Sequence, residues 1–217
     1  MFFPLLSFCP DRMAYGAVAA AAAVVGGSLL NTTIEEISKQ LRIDRNISIQ
    51  LSNCSHKYIL TNPRVFTRSG YSHNPPQPTI QKRTIEACSF TKTAGTACGA
   101  VGVLTYEICR HEDKHWVGEL MIMFSVPYDY NLYENWFALG VSKDRISCNK
   151  QLFHQMYYDN GSFTRAKSTG SEIKFLGKHA YVKGTMSPGG SSIMKVEFWD
   201  LETHQNYPYD PNYIMIK

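Results

Sequence analysis

The chain has 217 residues, and charged residues make up 18% of it, below the roughly 25% of ordinary soluble domains. Its net charge of +4 is mild and its basic residues are scattered, which argues against nucleic acid as a partner. Aromatic residues reach 12%, with 13 tyrosines, and this composition favours an amphipathic binding surface.

An uncharged segment lies near the N-terminus. Met13 to Ile34 are 22 residues without a charge, dominated by Ala and Val. As a helix they would be about 33 Å long, enough to cross a hydrocarbon core of about 30 Å. Because Gly26 and Gly27 interrupt the segment and Ala is only weakly hydrophobic, conditional insertion fits better than a permanent anchor. The alternative is a buried or disordered Ala-rich leader.

An amphipathic helix is predicted next, near Thr32–Leu41. Thr32 and Glu35 could form a capping box at its start, and Glu35 and Lys39 could pair one turn apart. Its apolar stripe, which should pack on another element, consists of Leu30, Ile34, Ile37 and Leu41.

After Arg45 the periodicity changes to two. Apolar residues alternate with polar ones from Ile47 to Ser52, which predicts a half-buried strand. A helix is predicted at Lys150–Tyr158, before the breaker Asn160-Gly161. Other strands are predicted at Lys57–Thr61, Gly99–Ile108, Trp116–Val126, Trp136–Val141, Glu172–Leu176, Ala180–Met186 and Ile193–Trp199.

Many short strands with turn signals between them predict a sandwich. We therefore expect a mainly β protein: an antiparallel β-sandwich in residues 46–217, with two α-helices. Residues 1–45 would hold the uncharged segment and the first, amphipathic helix.

The cysteines and glycosylation sequons bear on the route of export. The six cysteines lack CxxC pairs and regular spacing, so free thiols are favoured slightly over disulfides. Residues 1–12 fit a secretory signal poorly. We expect the sequons to be unused or the chain to avoid the classical route. These sequons begin at Asn31, Asn46, Asn53 and Asn160.

One motif formally matches a zinc protease. His111 and His115 belong to an HExxH sequence, which needs both imidazoles on one helical face. Here the motif lies between two predicted strands, where a polar turn is expected. We therefore predict no metal site at these histidines. The sequence also contains no nucleophile elbow and no phosphate loop, so enzyme function and cofactors are not expected.

Aromatic residues concentrate in two places. Six of the fourteen residues from Phe124 to Phe137 are aromatic, interspersed with loop-forming Pro, Asp and Asn. Exposed Tyr and Trp rings suit a membrane interface and the recognition of a choline-like cation. Core packing is the alternative. A second set, Phe153, Tyr157 and Tyr158, lies on the predicted helix, where it could join the first.

Three blocks of sequence resemble the sea-anemone actinoporins. They are Gly99-Ala-Val-Gly-Val-Leu104, Phe124-Ser-Val-Pro-Tyr-Asp-Tyr-Asn131 and the Tyr157-Tyr158 pair. Their order and spacing agree with the family from about Ala17 to Trp199, and the cysteines and altered N-terminus look like those of a fish-type member.

The resemblance implies that residues 46–217 form a lipid-binding β-sandwich flanked by two α-helices on opposite sheets, preceded by an apolar segment that inserts into membranes. It also implies phosphocholine binding, typically of sphingomyelin, between the aromatic loop and the second helix. Phe153 stands where the family usually has Tyr, Leu132 stands where it usually has Trp, and the family's Arg-Gly-Asp is absent, with Arg165-Ala-Lys167 there instead. The candidate lipid-binding residues are Arg68, Ser69, Val101, Ser125, Pro127, Tyr133, Trp136, Phe153, Tyr157 and Tyr158.

The resemblance also implies a secreted pore former that is soluble until it binds a target membrane. Homo-oligomers would insert N-terminal helices to line a cation-conducting pore, since one helix cannot enclose water. The main alternative is a non-lytic lipid- or glycan-binding, lectin-like module, which has no use for the uncharged segment. A third reading is an intracellular interaction protein.

Overall fold

The computed structural model describes residues 33–41 and 43–202. The predicted membrane-inserting segment, apart from its last two residues, lies outside these ranges. The helices are α1 (Ile34–Gln40) and α2 (Lys150–Tyr158). The strands are β1 (Asn46–Asn53), β2 (Tyr58–Ser69), β3 (Tyr71–Asn74), β4 (Thr79–Ile80), β5 (Thr84–Thr91), β6 (Ala100–Arg110), β7 (Trp116–Val126), β8 (Trp136–Ser142), β9 (Phe163–Lys167), β10 (Ile173–Leu176), β11 (Ala180–Met186) and β12 (Ser191–Asp200).

Two six-stranded sheets form a sandwich. The first, sheet A, has the order β10-β11-β12-β1-β5-β3, and the second, sheet B, has the order β4-β2-β6-β7-β8-β9. The predicted β-sandwich with two flanking helices is confirmed. One pairing departs from the antiparallel prediction, because β1 and β12 run parallel. The first and last strands of the described sandwich are therefore neighbours.

The main core lies between the two sheets. Its side chains come from alternate positions of the central strands, as the pleat of a strand requires. The Phe90 and Phe124 rings pack across the sandwich at 4.6 Å, and both are almost fully buried. Phe137 and Phe198 are also fully buried in this cluster. Large aromatic side chains thus fill the space between the sheets at both ends of the sandwich, Phe90 and Phe124 at one and Phe198 at the other.

Helix α1 covers the outer face of sheet A, where it contacts β1 and β12. Thr33 caps the helix, and its side chain and that of Glu36 form a reciprocal capping box. The predicted box was one residue too early. The predicted Glu35–Lys39 pair is replaced by an ion pair between Glu35 Oε1 and Lys195 Nζ at 2.7 Å. Only Ile34 and Ser38 of α1 are buried.

Helix α2 covers the outer face of sheet B. Asn149 caps it by accepting hydrogen bonds from the Gln151 and Leu152 amides at 2.9 and 3.1 Å. Its apolar face is buried through Leu152, Phe153 and Met156. These residues pack on strand residues of a second cluster, separate from the main core, that includes Val101, Val103, Met121, Met123 and Ala138. The helix is thus built into the body of the protein.

Some strand predictions were wrong. The strand near Ile47 was predicted to be half-buried, yet β1 is almost wholly buried, including Ser48 and Ser52. The reason is that α1 and two neighbouring strands cover it. Strand β2 extends eight residues beyond its predicted end at Thr61. Strands β3, β4, β5 and β9 were not predicted.

Candidate functional site

A row of four residues crosses one end of sheet B. Ser69 on β2 is paired with Val101 on β6, Val101 with Ser125 on β7, and Ser125 with Trp136 on β8. Directly paired residues point to the same face of a sheet. Because Val101 belongs to the cluster beneath α2, this face is the outer one. Val101 and Ser125 are buried, whereas Ser69 and Trp136 are half-buried.

Aromatic rings of α2 extend from that cluster to the surface. Phe153 contacts Phe66 at 6.5 Å between ring centroids and Tyr157 at 5.5 Å. Tyr157 in turn contacts Tyr158 at 4.8 Å in an edge-to-face arrangement. The exposed fraction rises along the series from 3% at Phe153 to 38% at Tyr158. Phe153 therefore supports the Tyr157 ring from below and does not reach the surface itself.

The loop between β7 and β8 carries Tyr133 to the same place. Its backbone is fixed by Asp129, whose Oδ1 accepts from the Asn131 amide and whose carbonyl accepts from the Tyr133 amide. Asn135, nearly fully buried, donates to the Gly189 carbonyl at 3.0 Å and accepts from the Tyr130 hydroxyl at 2.8 Å. Side-chain hydrogen bonds of this kind favour turns over strands. The loop is thus held in one shape.

A cavity of about 70 Å³ opens between this loop and the loop that precedes β6. The Ser69 hydroxyl at its wall donates to the Gly99 carbonyl at 2.8 Å. Gly99 passes so close to the Val126 carbonyl that a Cβ would lie 2.1 Å from that oxygen, so only glycine fits there. The lining residues are Arg68, Ser69, Ala97, Cys98, Gly99, Val101, Pro127, Tyr128, Asp129 and Tyr133.

Burial and nearby charge set the protonation of the site tyrosines. Burial raises the pKa of Tyr157 to about 12. Burial also raises the pKa of Tyr158, against the opposing effect of the Arg68 charge. Both hydroxyls are therefore neutral hydrogen-bond donors at physiological pH. Ser125 Oγ is buried without a hydrogen-bond partner among the described residues, although the Tyr157 hydroxyl lies nearby.

The site thus combines ring faces, hydroxyl groups and one guanidinium. The Tyr157 and Tyr158 rings are in contact, Tyr133 lies close to both, and the nearby Arg68 charge works to lower the pKa of Tyr158. Ring faces attract quaternary ammonium groups, and a guanidinium attracts phosphate. The structure brings together all the predicted positions at this end of sheet B. Pro127 and Phe153 are buried, and Trp136 lies beneath the Lys167 ammonium at 5.9 Å.

Other exposed side chains surround the site. Tyr71, Tyr128, Tyr130 and Leu132 are exposed, Leu132 by 67%. The Arg45 guanidinium lies over the Tyr130 ring at 4.5 Å, and its Nε donates to the Tyr128 carbonyl at 2.8 Å. The sequence analysis did not predict this contact. Arg45 was assigned only to the boundary before β1, and no local spacing links it to residues more than eighty positions away.

The sequence analysis also missed His154. Its ring lies 4.7 Å from that of Tyr158, with an interplanar angle of 42°. The i, i+4 spacing on α2 could have indicated this contact, since side chains one turn apart on a helix are neighbours.

The HExxH histidines lie away from this site. His111 and His115 are in the connection between β6 and β7, as predicted, at the opposite end of those strands. Over the described ranges, no three His, Cys, Asp or Glu side chains come together in a group that could hold a metal ion.

Most cysteines agree with the expectation of free thiols. Cys54, Cys88 and Cys109 are buried free thiols, and Cys148 is free and half-buried. Cys98 departs from the expectation because it is disulfide-bonded. Burial raises the pKa of Cys54 and of Cys88 to about 12, which makes both thiols poor nucleophiles.

Two sequons are structurally incompatible with glycosylation of the folded protein. Asn46 and Asn53 are fully buried within β1, whereas the sequon at Asn160 is exposed after α2. Helices α1 and α2, the two helices of the described ranges, have seven and nine residues, and neither is long and apolar enough to cross a bilayer.

The fold and the site define a β-sandwich protein whose end carries a helix-supported aromatic surface. The chain belongs to the family described as sea anemone cytotoxic protein, the actinoporins, whose profile matches residues 15–199. Members of this family are pore-forming toxins and not enzymes.

Similar proteins come from animals and plants. Deep-sea actinoporin Cjtox I of Cribrinopsis japonica is 33% identical over 184 residues, covering 82% of this chain and 78% of its own. Bryoporin of Physcomitrium patens is 29% identical over 179 residues, covering 82% and 97%. Among solved structures, the lipid binding protein Nakanori superposes with a TM-score of 0.57 at 13% identity, covering 76% of this chain and 75% of that one. The last comparison shows a shared fold.

Proposed function

We propose that this protein binds phosphocholine headgroups of sphingomyelin-like lipids and then forms a cation-conducting pore. The tyrosine cluster formed by Tyr133, Tyr157 and Tyr158 carries the proposal. Half-buried to exposed rings meet at the end of a rigid sandwich, next to a guanidinium. A choline ammonium would lie against the ring faces, and Arg68 would attract the phosphate.

The surroundings of the cluster suit a membrane interface. Tyr71, Tyr128 and Tyr130 are exposed, and tyrosine is enriched where one end of a side chain is apolar and the other is wet. Arg45 and Lys92 lie over these rings. Leu132 would add an apolar contact with lipid. The sandwich would therefore dock with this end towards the bilayer.

Pore formation would use the uncharged segment from Met13 to Ile34. Its length as a helix matches the hydrocarbon thickness, and several copies are required because one helix cannot enclose water. The protein would be released as a water-soluble chain and assemble into a homo-oligomer on the target membrane. Family membership supports this step.

Calcein-loaded liposomes with and without sphingomyelin test the proposal. We expect dye release that is stronger with sphingomyelin. Tyr133→Ala combined with Tyr157→Ala should lower liposome binding about fivefold or more, since each ring contact with a cation is worth about 0.5–2 kcal/mol. The melting temperature should stay nearly unchanged. Unfolding of the double variant would instead identify the rings as core.

Two further variants separate binding from release. Ala22→Asp should impair release more than binding, because a carboxylate near the bilayer centre costs about 2.5–3.5 kcal/mol on insertion scales. Tyr181 is a buried ring on β11 in sheet A. Tyr181→Ala is the control for loss of a tyrosine elsewhere in the protein, and this variant should still bind lipid as long as it is folded. Binding without any dye release by the native chain would favour the non-lytic lipid-binding module.

A further inference from the structure

The chemistry of His154 and its place beside the tyrosine cluster have a consequence for headgroup selection. Its side chain is 62% exposed, and its ring contacts Tyr158 at 4.7 Å. Tyr158 is the most exposed of the three cluster rings. The imidazole therefore lies beside the most exposed ring of the cluster, on the solvent side of the candidate site.

Histidine is the side chain whose charge ordinarily changes between about pH 5 and 8. A neutral imidazole extends the aromatic surface of Tyr158. A protonated imidazolium places a cation on that ring, where a choline ammonium would otherwise bind. Like charges at this separation also repel. The two protonation states thus offer opposite environments to the same headgroup.

Several charged groups surround His154. Asp159 Oδ2 lies 3.7 Å from His154 Nδ1, and Lys150 lies one turn earlier on α2. From β9, Arg165 donates to the Met156 and Asp159 carbonyls at 3.1 and 2.9 Å. From β2, Arg68 acts on Tyr158. Strands β6, β7 and β8 present mostly apolar side chains to the helix. One carboxylate and three cations therefore lie on the elements around the imidazole.

We propose that His154 is a specificity-determining residue of the headgroup site, which accepts a choline ammonium when the imidazole is neutral and rejects it when the imidazole is protonated. This inference rests on the proposed function of the tyrosine cluster. Binding to phosphocholine lipids would then weaken in an acidic compartment, with no change in the fold.

Vesicles of sphingomyelin and phosphatidylcholine provide the probe, because both headgroups are zwitterionic phosphocholines throughout this range. Vesicle binding of the full chain is measured by sedimentation at about pH 7.5 and about pH 5.5, the range over which imidazole titrates. The native protein should bind about three- to tenfold more weakly at the lower pH, from one added charge at a partly exposed site.

Two substitutions fix the charge at this position, and both are compatible with a helix. His154→Gln should bind equally at both pH values. His154→Lys should bind weakly at both. His115→Gln, an exposed histidine at the opposite end of β7, is the matched control and should keep the native pH profile. Thermal melting of each variant shows whether the fold is retained.

The outcomes distinguish this inference from the proposed function. A native protein that fails to bind these vesicles even at about pH 7.5 would overturn the proposed function. Native binding that does not weaken on acidification would overturn the role of His154 alone. The role of His154 would also be overturned if His154→Gln keeps the native acid sensitivity. Another group, such as the buried Glu119, would then cause the weaker binding at low pH.

Discussion

The two helices are attached to the sandwich in different ways. Helix α2 buries three apolar side chains in a cluster with five apolar residues of sheet B. Helix α1 buries one apolar side chain, Ile34, and relies on a capping box and an exposed ion pair to Lys195. Buried apolar contacts resist opening, whereas exposed polar contacts are readily replaced by water.

The difference matches the roles proposed for the two helices. Helix α2 supports the tyrosine cluster, which must keep its shape to bind a headgroup. Helix α1 follows the apolar segment and would have to leave the sandwich when that segment enters the bilayer. A firmly held helix serves binding, and a loosely held one serves insertion. Changes that fix α1 or loosen α2 should therefore have distinct effects.

The largest effect is expected from fixing α1 covalently. Glu35 and Lys195 side chains meet across α1 and β12. Glu35→Cys with Lys195→Cys, in a background without native cysteines, should be bridged by a short crosslinker that a reductant cleaves. The bridged protein should bind liposomes and release no dye until it is reduced. Full release while bridged would show that α1 does not detach. The single Glu35→Cys variant is the control.

A large loss of stability is expected from shortening Met156. This side chain is fully buried between α2 and sheet B. Met156→Ala should lower the free energy of unfolding by about 2–5 kcal/mol through lost burial and a cavity. Chemical denaturation measures the change. Its exposed neighbour offers a control, since Gln155→Ala should change stability by less than about 0.5 kcal/mol. Equal effects would mean that α2 is not packed as described.

A smaller and local effect is expected from Ile34→Ala. This substitution removes about three buried carbon groups and should reduce the free energy of α1 docking by about 2 kcal/mol. Hydrogen exchange should then be about thirtyfold faster for amides of α1, and unchanged for those of β7. The half-buried Ile37 provides a graded comparison, because Ile37→Ala should have a weaker effect. Faster exchange throughout the sandwich would contradict local detachment.

The smallest effect is expected from Lys195→Ala, because an exposed ion pair is worth about 0.2–1 kcal/mol. The hydrogen bond from Lys195 is the main reason why the pKa of Glu35 is lowered. The Glu35–Lys195 ion pair therefore stabilises the docking of α1 at pH values above the ordinary carboxyl pKa, and this stabilisation is lost as the pH falls through the lowered pKa of Glu35. The hydrogen-exchange rates of α1 amides should differ between the native protein and the variant at neutral pH and become equal in acid. Lys174→Ala, on β10, should show neither effect.

The sequence predicted those elements whose signals are local. Strands β7 and β11 and helix α2 were predicted at their observed boundaries because periodicity and breakers agree there. The cap of α1 was misplaced by one residue because Thr32 and Thr33 are each followed three positions later by Glu. Strand β5 was missed because polar Ser89 and Thr91 are buried beside Cys88 and Phe90, so its burial does not alternate.

The candidate site was predictable where it depends on sequence blocks and not where it depends on packing. The aromatic segment and the pair Tyr157-Tyr158 were visible in the sequence. Whether each ring would be core or surface was not: Phe124 and Phe137 are core, whereas Tyr128 and Tyr130 are exposed. Phe124 and Phe137 are paired positions of β7 and β8 in the main core, whereas Tyr128 and Tyr130 lie in the loop after β7. The division therefore depends on strand register and on where β7 ends.

The parallel pairing of β1 with β12 fixes an order of events during synthesis. The ribosome delivers the N-terminal strand first, but its parallel neighbour appears about 140 residues later, and such distant pairings form slowly. Helix α1 contacts both strands, so its docking platform is incomplete until β12 has emerged. The docking of α1 is therefore among the last steps of folding, completed only after the final strand of the sandwich has left the ribosome.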